Sequence, residues 1–459
     1  MGKNIFQKNK RNHAVSMANR EGVLDTSLMV KKLEYNYSKN KEPISVDFRE
    51  MVSWVKGGDQ LNHLIHPYPA KLLPNIANFF CRAKVLTGKG RILDPFCGSG
   101  TVALEASLVG ASPYVADANP LALLITKVKT YPYNISSLVD VMESVIAKAR
   151  RYKVAPEVRI VNESLWYSEK RKKELEIILR AINEVEDQHE KDFFRVAFSQ
   201  LAKRFSFCDL SVSVPVRLKV KESYSESLKK KTKKRIEWVN NASVEAEFIR
   251  ICMQNITRTN AANSLNPNRS SAVVVANDAR KIAESNEKFS LILTSPPYGS
   301  AQKYVRSSSL SLNWLGFAKP DELSEMESRS IGREHLPKKF GAEAEGRLPD
   351  EFERALLKAK KTNQRRYLIN KQYLLDMQDA IASMHAALEP GGNLVIVIGN
   401  NSVCGEPLRN DKFVCEVAQS LGMKQKLILD DPIKSRGLMT RRNKTASVIK
   451  SEKIIVLSR

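Results

Sequence analysis

Short apolar runs, each ended by a polar or glycine-rich turn, recur along this chain and alternate with longer stretches of helical spacing. Arg91-Ile92-Leu93-Asp94 leads into the turn Pro95-Phe96-Cys97-Gly98-Ser99-Gly100-Thr101 and then into the helix-like Val102 to Ala106. Tyr114-Val115-Ala116 ends in Asp117-Ala118-Asn119-Pro120, and Ala272 to Val275 ends in Asn277-Asp278. Leu291-Ile292-Leu293 ends in Thr294-Ser295-Pro296-Pro297-Tyr298-Gly299. Apolar runs this short, bounded by turn residues, predict buried strands, and their alternation with helices predicts an α/β fold. Two prolines cannot continue a central ladder, so the chain leaves the sheet after Leu293 and presents Ser295 and Tyr298 at the sheet edge, where open α/β folds bind ligands.

The remaining pattern divides the chain into four parts: an arm or peripheral helices over 1–60, a first half of the core over 61–133, an insertion over 134–267, and a second half over 268–459. The insertion exceeds the short connections usual in α/β units. Leu175, Ile178, Leu179 and Ile182 share one helical face, and Phe193 to Ala202 repeats the pattern, so the insertion reads as a mainly helical lobe packed on the sheet. Phe205 to Arg217 reads as a loop facing the substrate cleft. A basic stretch near 314–366, with Arg329, Arg333, Lys338 and Lys339, reads as a mobile loop. Tyr373 to Leu388 forms a helix closed by Glu389-Pro390-Gly391-Gly392, and Asn393 to Asn400 a strand. Met423 to Leu429 and Ala446 to Leu457 form a final antiparallel pair, bridged by Ser435 to Arg442 beside the pocket.

Composition narrows the class. At 459 residues the chain is larger than one comfortable core. Lys and Arg number 74 against 50 Asp and Glu, a formal charge of +24 that favours a polyanionic partner. Lys229-Lys230-Lys231-Thr232-Lys233-Lys234-Arg235 is the densest basic run, with Lys358 to Lys361 and Arg365-Arg366 a second; a solvated helix face accounts for either, and both suit phosphate tracking. The six cysteines are scattered without a close pair, which indicates neither a disulfide frame nor a zinc site and fits a reducing cytoplasm. The histidines form no metal pattern. The basic N-terminus lacks the apolar core of a secretory signal, and no run approaches the ~18 apolar residues of a membrane span.

The chemistry lies at the strand ends. Gly98 and Gly100 permit the positive φ and close approach that a nucleotide cofactor on a turn requires. Asp94 at the strand tip repels phosphate but suits the ammonium of an amino acid. Asp117 suits ribose hydroxyls and Asp278 an adenine amino group. Turn capping accounts for any one of these acids; three at successive strand ends, with Ser-Pro-Pro-Tyr at a fourth, outline a site for an adenosyl amino acid beside a site for a base. The exocyclic amine of a base is a poor nucleophile because its lone pair is delocalised into the ring. The Ser295 hydroxyl and the Pro296 carbonyl, as acceptors against its hydrogens, would free that pair and stabilise the charge that develops, while Tyr298 stacks on the base.

These segments resemble the amino-methylating DNA methyltransferases that use S-adenosylmethionine. The resemblance rests on Asp94-Pro95-Phe96-Cys97-Gly98-Ser99-Gly100-Thr101, on Asp117-Ala118-Asn119-Pro120 and on Thr294-Ser295-Pro296-Pro297-Tyr298. His66-Pro67-Tyr68-Pro69-Ala70-Lys71 is similar to the segment that precedes the glycine turn in many of these enzymes and lies against the cofactor's methionine end. The resemblance implies a Rossmann-like class I methyltransferase sheet and a cofactor site of His66, Tyr68, Pro69, Lys71, Asp94, Pro95, Phe96, Gly98, Ser99, Gly100, Thr101, Asp117, Asn119 and Asp278. It implies a catalytic turn of Ser295, Pro296, Pro297 and Tyr298, no metal, a base flipped out of double-stranded DNA, and a cognate restriction enzyme or other defence component as partner. Serine before Pro-Pro-Tyr is typical of cytosine-N4 enzymes, and aspartate or asparagine of adenine-N6 enzymes. An adenine-N6 enzyme, an RNA guanine-N2 methyltransferase and a non-catalytic DNA-binding subunit are the alternatives.

Overall fold

The computed structural model describes residues 24–55, 61–69, 71–299, 303–333, 335, 346–433 and 449–459. Eight strands form one sheet: β1 (Ile44–Ser45), β2 (Arg91–Asp94), β3 (Ser112–Ala116), β4 (Val273–Ala276), β5 (Phe289–Thr294), β6 (Leu388–Ile398), β9 (Lys424–Pro432) and β10 (Ser451–Ser458). A hairpin of β7 (Asn401–Val403) and β8 (Glu406–Leu408) stands apart from it. Across the sheet the order is β1-β9-β10-β6-β5-β2-β3-β4. Strands β4, β3, β2, β5 and β6 run parallel, and β10 lies antiparallel between β6 and β9. This is the α/β, Rossmann-like sheet expected of a class I methyltransferase. All six residues of β5 are buried, as a central parallel strand covered on both faces requires.

The insertion between β3 and β4 is helical: Ile135–Arg151, Glu169–Asn183, Gln188–Arg204, Glu226–Asn241 and Val244–Leu265 are its long helices. Their apolar faces join the helices Pro120–Thr130 and Tyr304–Trp314 in one hydrophobic core. Helices Gln364–Ala387 and Asn410–Ser420 contribute to a second core with the sheet, and Ser27–Asn40 and Pro74–Cys81 to a third.

Several expectations are corrected. Of the arm or peripheral helices expected before residue 61, the described part holds the helix Ser27–Asn40, whose Val30, Leu33 and Tyr37 are buried, and β1, which pairs with β9. Within the stretch expected to be a basic loop, Leu323–Arg329 and Asp350–Thr362 are helices. The second forms because Phe352, Leu356 and Ala359 line one buried face and Asp350, Glu351 and Glu353 fill its first turn. Arg333 is held by Asp376 at 2.8 Å. The turn Glu389 to Gly392 is a bulge inside β6, four residues lying between the partners of Phe289 and Leu291. Lys338, Lys339 and the bridge Ser435 to Arg442 lie outside the described residues.

Candidate active site

Parallel strands β5, β2, β3 and β4 are neighbours, so their C-terminal ends bring Ser295, Asp94, Asp117 and Asp278 along one edge of the sheet. That edge is where open α/β sheets take ligands. The glycine turn after β2 uses left-handed backbone at Gly98 (φ 49°) and Gly100 (φ 74°). A Cβ on Gly100 would stand 2.6 Å from the Thr126 hydroxyl, and one on Gly98 would stand 3.4 Å from the Tyr68 ring. Gly100 caps helix Thr101–Leu108. The Ser99 hydroxyl in this turn is buried and has no hydrogen-bond partner.

Asp117 accepts from the Gly98 amide and the Asn119 amide, both at 2.8 Å, so its carboxylate ties β3 to the glycine turn. Asn119 caps helix Pro120–Thr130 and donates to the Tyr68 hydroxyl and to Ser308, both at 3.1 Å. Asp94 accepts from the Thr294 hydroxyl at 2.6 Å and from the Phe96 amide at 3.2 Å. One hydrogen bond therefore joins the end of β2 to the residue just before Ser295. Burial pushes the Asp94 carboxyl up to about 7 and the Asp117 carboxyl up to about 6.

Other expected residues have structural partners. His66 is buried with its Nε2 on Ser199 at 2.9 Å, and burial drives its imidazole down to about 3. It thereby joins its loop to the helical lobe. Lys71 donates to the carbonyls of His63 and His66. Pro69 is half-buried in the same loop, while Pro95, Phe96 and Thr101 lie in or directly after the glycine turn. Asp278 caps the short helix after β4, and both its oxygens accept from Arg280, which also reaches Asp376 at 2.7 Å. The capping role accounts for its present contacts.

At the Pro-Pro turn, the Ser295 and Tyr298 hydroxyls are 3.1 Å apart, and Tyr298 donates to Glu452 at 2.9 Å. Tyr373 donates to the Pro297 carbonyl at 2.7 Å, and Asn401 to the Tyr298 carbonyl at 3.3 Å, so the turn is fixed from two sides. The Tyr298 ring lies on the backbone at Gly399, where a Cβ would stand 2.9 Å from it. Glu452, Thr294, Tyr373, Asn401 and Gly399 were not assigned roles from the sequence. Only Thr294, inside the quoted motif, offered a local signal.

Residues 66–164, from the His66 loop through both cofactor-side acids, match the family described as UPF0020: RMKL-like, methyltransferase domain. The protein carries a methyltransferase domain. Among curated relatives, the Type II methyltransferase M.MvaI of Kocuria varians is 26% identical over 282 residues, 57% of this chain and 59% of that protein. The Type II methyltransferase M.MjaII of Methanocaldococcus jannaschii is 31% identical over 90 residues, 20% of this chain and 17% of that protein. The chain thus spans less than two thirds of either relative. Among solved structures, TrmN from Thermus thermophilus aligns at a TM-score of 0.30 with 11% identity, covering 85% of this chain and 50% of that one. The rRNA methyltransferase aviRa from Streptomyces viridochromogenes aligns at 0.27 with 9% identity, covering 86% and 89%.

A methyltransferase domain implies S-adenosylmethionine, and the residues of the methyltransferase domain fit it. The unpartnered Ser99 hydroxyl leaves a donor on the turn, and the Asp94 and Asp117 carboxyls carry raised pKa values that a cationic or hydroxyl-rich ligand would relieve. Among the described residues no group of three His, Cys, Asp or Glu side chains is placed to hold a metal, and no helix is long and apolar enough to cross a membrane.

Proposed function

We propose that the protein methylates the exocyclic N4 amine of cytosine in double-stranded DNA, using S-adenosylmethionine. The observation that carries this reading is the placement of Ser295 at the end of β5, one residue past the Thr294 that hydrogen-bonds Asp94 at 2.6 Å. The acceptor turn and the cofactor turn are thereby set in fixed relation, and positioning of this kind supplies much of the acceleration in a transfer reaction.

The glycine turn of Gly98, Ser99 and Gly100 would hold the cofactor, with Asp94 toward its ammonium and Asp117 toward its ribose. Asp278 would serve the adenine only if Arg280 yields one oxygen. When bound, the cofactor supplies an electrophilic methyl group on sulfur. Ser295 and the Pro296 carbonyl accept from the hydrogens of the target amine and orient its lone pair; Tyr298 supports the base. The net charge of +24 and the names of the Type II relatives support a DNA substrate and a place in restriction and modification. Ser295 favours cytosine over adenine.

The test is incubation of the protein with duplex DNA and methyl-labelled S-adenosylmethionine, followed by nucleoside analysis. N4-methylcytosine is the expected product. N6-methyladenine would overturn the base assignment, and label found only in RNA would overturn the DNA assignment. Ser295→Ala and Tyr298→Ala are expected to lower turnover at least about 10²-fold with cofactor affinity retained, the size of effect seen for loss of one oriented polar group.

A further inference from the structure

Tyr298 of the Pro-Pro-Tyr turn bonds a half-buried acid that no motif accounts for. Glu452 stands near the start of β10, and because Lys453 pairs with Ile398 in the antiparallel register, it is level with Gly399, on which the Tyr298 ring rests. The absence of a side chain at Gly399 lets that ring lie flat enough for its hydroxyl to reach across to β10. Tyr298 gives its single hydroxyl hydrogen to Glu452 Oε1 at 2.9 Å. Its oxygen can then only accept from Ser295, 3.1 Å away. The Ser295 hydroxyl hydrogen is thereby turned toward Tyr298, and its lone pairs are left for another donor.

We propose that Glu452 is a positioning residue and terminal proton acceptor for methyl transfer, acting on Ser295 through Tyr298. Before transfer, the carboxylate fixes the direction of both hydroxyls, so that Ser295 meets the target amine as an acceptor. As the amine nitrogen gives its lone pair to the new bond with the methyl carbon, the bond from that carbon to the cofactor sulfur would break with its electron pair leaving on sulfur, and the nitrogen becomes positively charged and must lose a proton. That proton passes to Ser295, the Ser295 hydroxyl proton passes to Tyr298, and the Tyr298 proton passes to Glu452. The amine loses one proton, Glu452 gains one, and the two hydroxyls are restored. This role for Glu452 rests on the function proposed above.

The surroundings of Glu452 suit an acid that exchanges a proton. Burial raises its carboxyl above the ordinary glutamate range, opposed by the Tyr298 hydrogen bond and by the Arg49 charge. Asp431 of β9 is its cross-strand partner, and burial together with Asp47 and Glu452 raises that carboxyl to about 6. Arg49 and Asp47 come from the helix Phe48–Met51 and its cap, and Tyr304, at the start of the helix Tyr304–Trp314, adds to the rise at Tyr298.

The decisive experiment compares the full-length protein with Glu452→Gln, Tyr298→Phe and the double variant. Glutamine keeps an acceptor for Tyr298 but takes no proton; phenylalanine keeps the ring and cuts the chain. Single-turnover methylation of duplex DNA is measured from pH 5 to 9 with S-adenosylmethionine saturating at every pH, so that the pH dependence of cofactor binding drops out, alongside calorimetric binding of S-adenosylhomocysteine and fluorescence of a 2-aminopurine placed at the target position. Either single variant is expected to lose about 10²-fold in rate, the range of a proton-transfer group, with little change in ligand affinity or in the fluorescence of the displaced base. The wild-type rate falls as pH drops and Glu452 is neutralised, and this acid limb disappears in Glu452→Gln. The double variant is no slower than the slower single one, since both break one chain. Retained rate and acid limb in Glu452→Gln, or additive losses in the double variant, would overturn the relay while leaving the methyltransferase reading intact. A wild type that binds S-adenosylhomocysteine yet methylates no DNA would overturn both.

Discussion

Asp94 shows how far its surroundings decide the charge of a single residue. A carboxyl buried at a strand tip and raised to about 7 holds a proton that an unfolded aspartate, at 3.8, has already released. The cofactor-free fold therefore binds the extra proton between about pH 4 and pH 7, and its stability falls as pH rises through that window. A ligand that presents a cation or hydroxyl hydrogens to Asp94 reverses the preference and favours the ionised form. Calorimetry is expected to show S-adenosylhomocysteine binding more tightly at pH 8 than at pH 6 by up to about tenfold, one pKa unit's worth of coupling. In Asp94→Asn the affinity is lower, and both the pH dependence of binding and the slope of melting temperature against pH shrink. An unchanged slope in that variant would mean that another group carries the proton. Asp94, Asp117 and Ser295 were readable in the sequence because each ends an apolar run, and a strand end is a predictable place. Glu452 was not, since it meets Tyr298 across 154 positions of chain and only the sheet order brings them together.

Among the elements, helix Glu226–Asn241 most directly raises the question of what the lobe is for. It is anchored on its inner side, where Trp238 stacks on Phe205 with ring centres 4.9 Å apart and Arg204 and Arg235 lie over the same indole. Lys230, Lys231, Lys233 and Lys234 are exposed, and the helix carries only two acids, Glu226 and Glu237. A helix this basic and this firmly seated is suited to a phosphate backbone. Replacing the four lysines by glutamine is expected to reduce the salt dependence of duplex binding, by a slope of up to about 3.6 if each meets one phosphate, and to raise the KM for DNA while kcat is kept. An unchanged salt slope would remove this helix from the interface. The basic run itself was plain in the sequence, but 350–362 was drawn into the loop expected from Arg329, Arg333, Lys338 and Lys339, although a solvated helix face already accounted for Lys358 to Lys361. There the acidic first turn and the spacing of Phe352, Leu356 and Ala359 were the better signals, and periodicity outweighed charge.

At the scale of the whole molecule, the insertion is woven into the catalytic half. The hydrophobic core of the lobe includes Leu121, Ile125 and Val128 of the helix Pro120–Thr130, together with Leu312 and Trp314 of the helix that follows the Pro-Pro-Tyr turn. Polar links run the same way, because Ser199 bonds His66 at 2.9 Å on one side and Ser311 at 2.8 Å on the other. Phe198, next to Ser199, is fully buried and meets the Trp314 ring edge-on at 5.5 Å, while Trp314 donates to Tyr167 at 2.9 Å. Removing that ring leaves a cavity at the seam and costs about 3–5 kcal/mol. If lobe and sheet unfold as one body, Phe198→Ala lowers a single melting transition, and bound S-adenosylhomocysteine raises that same transition in wild type and variant alike. If the lobe were an independent domain, the variant would show a separate early transition that the ligand does not move. The first outcome is expected, because the lobe core includes residues of the helix after Asn119 and of the helix that follows the Pro-Pro-Tyr turn, and Ser199 holds His66, so loosening the lobe loosens elements that flank both turns. Differential scanning calorimetry with and without the ligand separates the two.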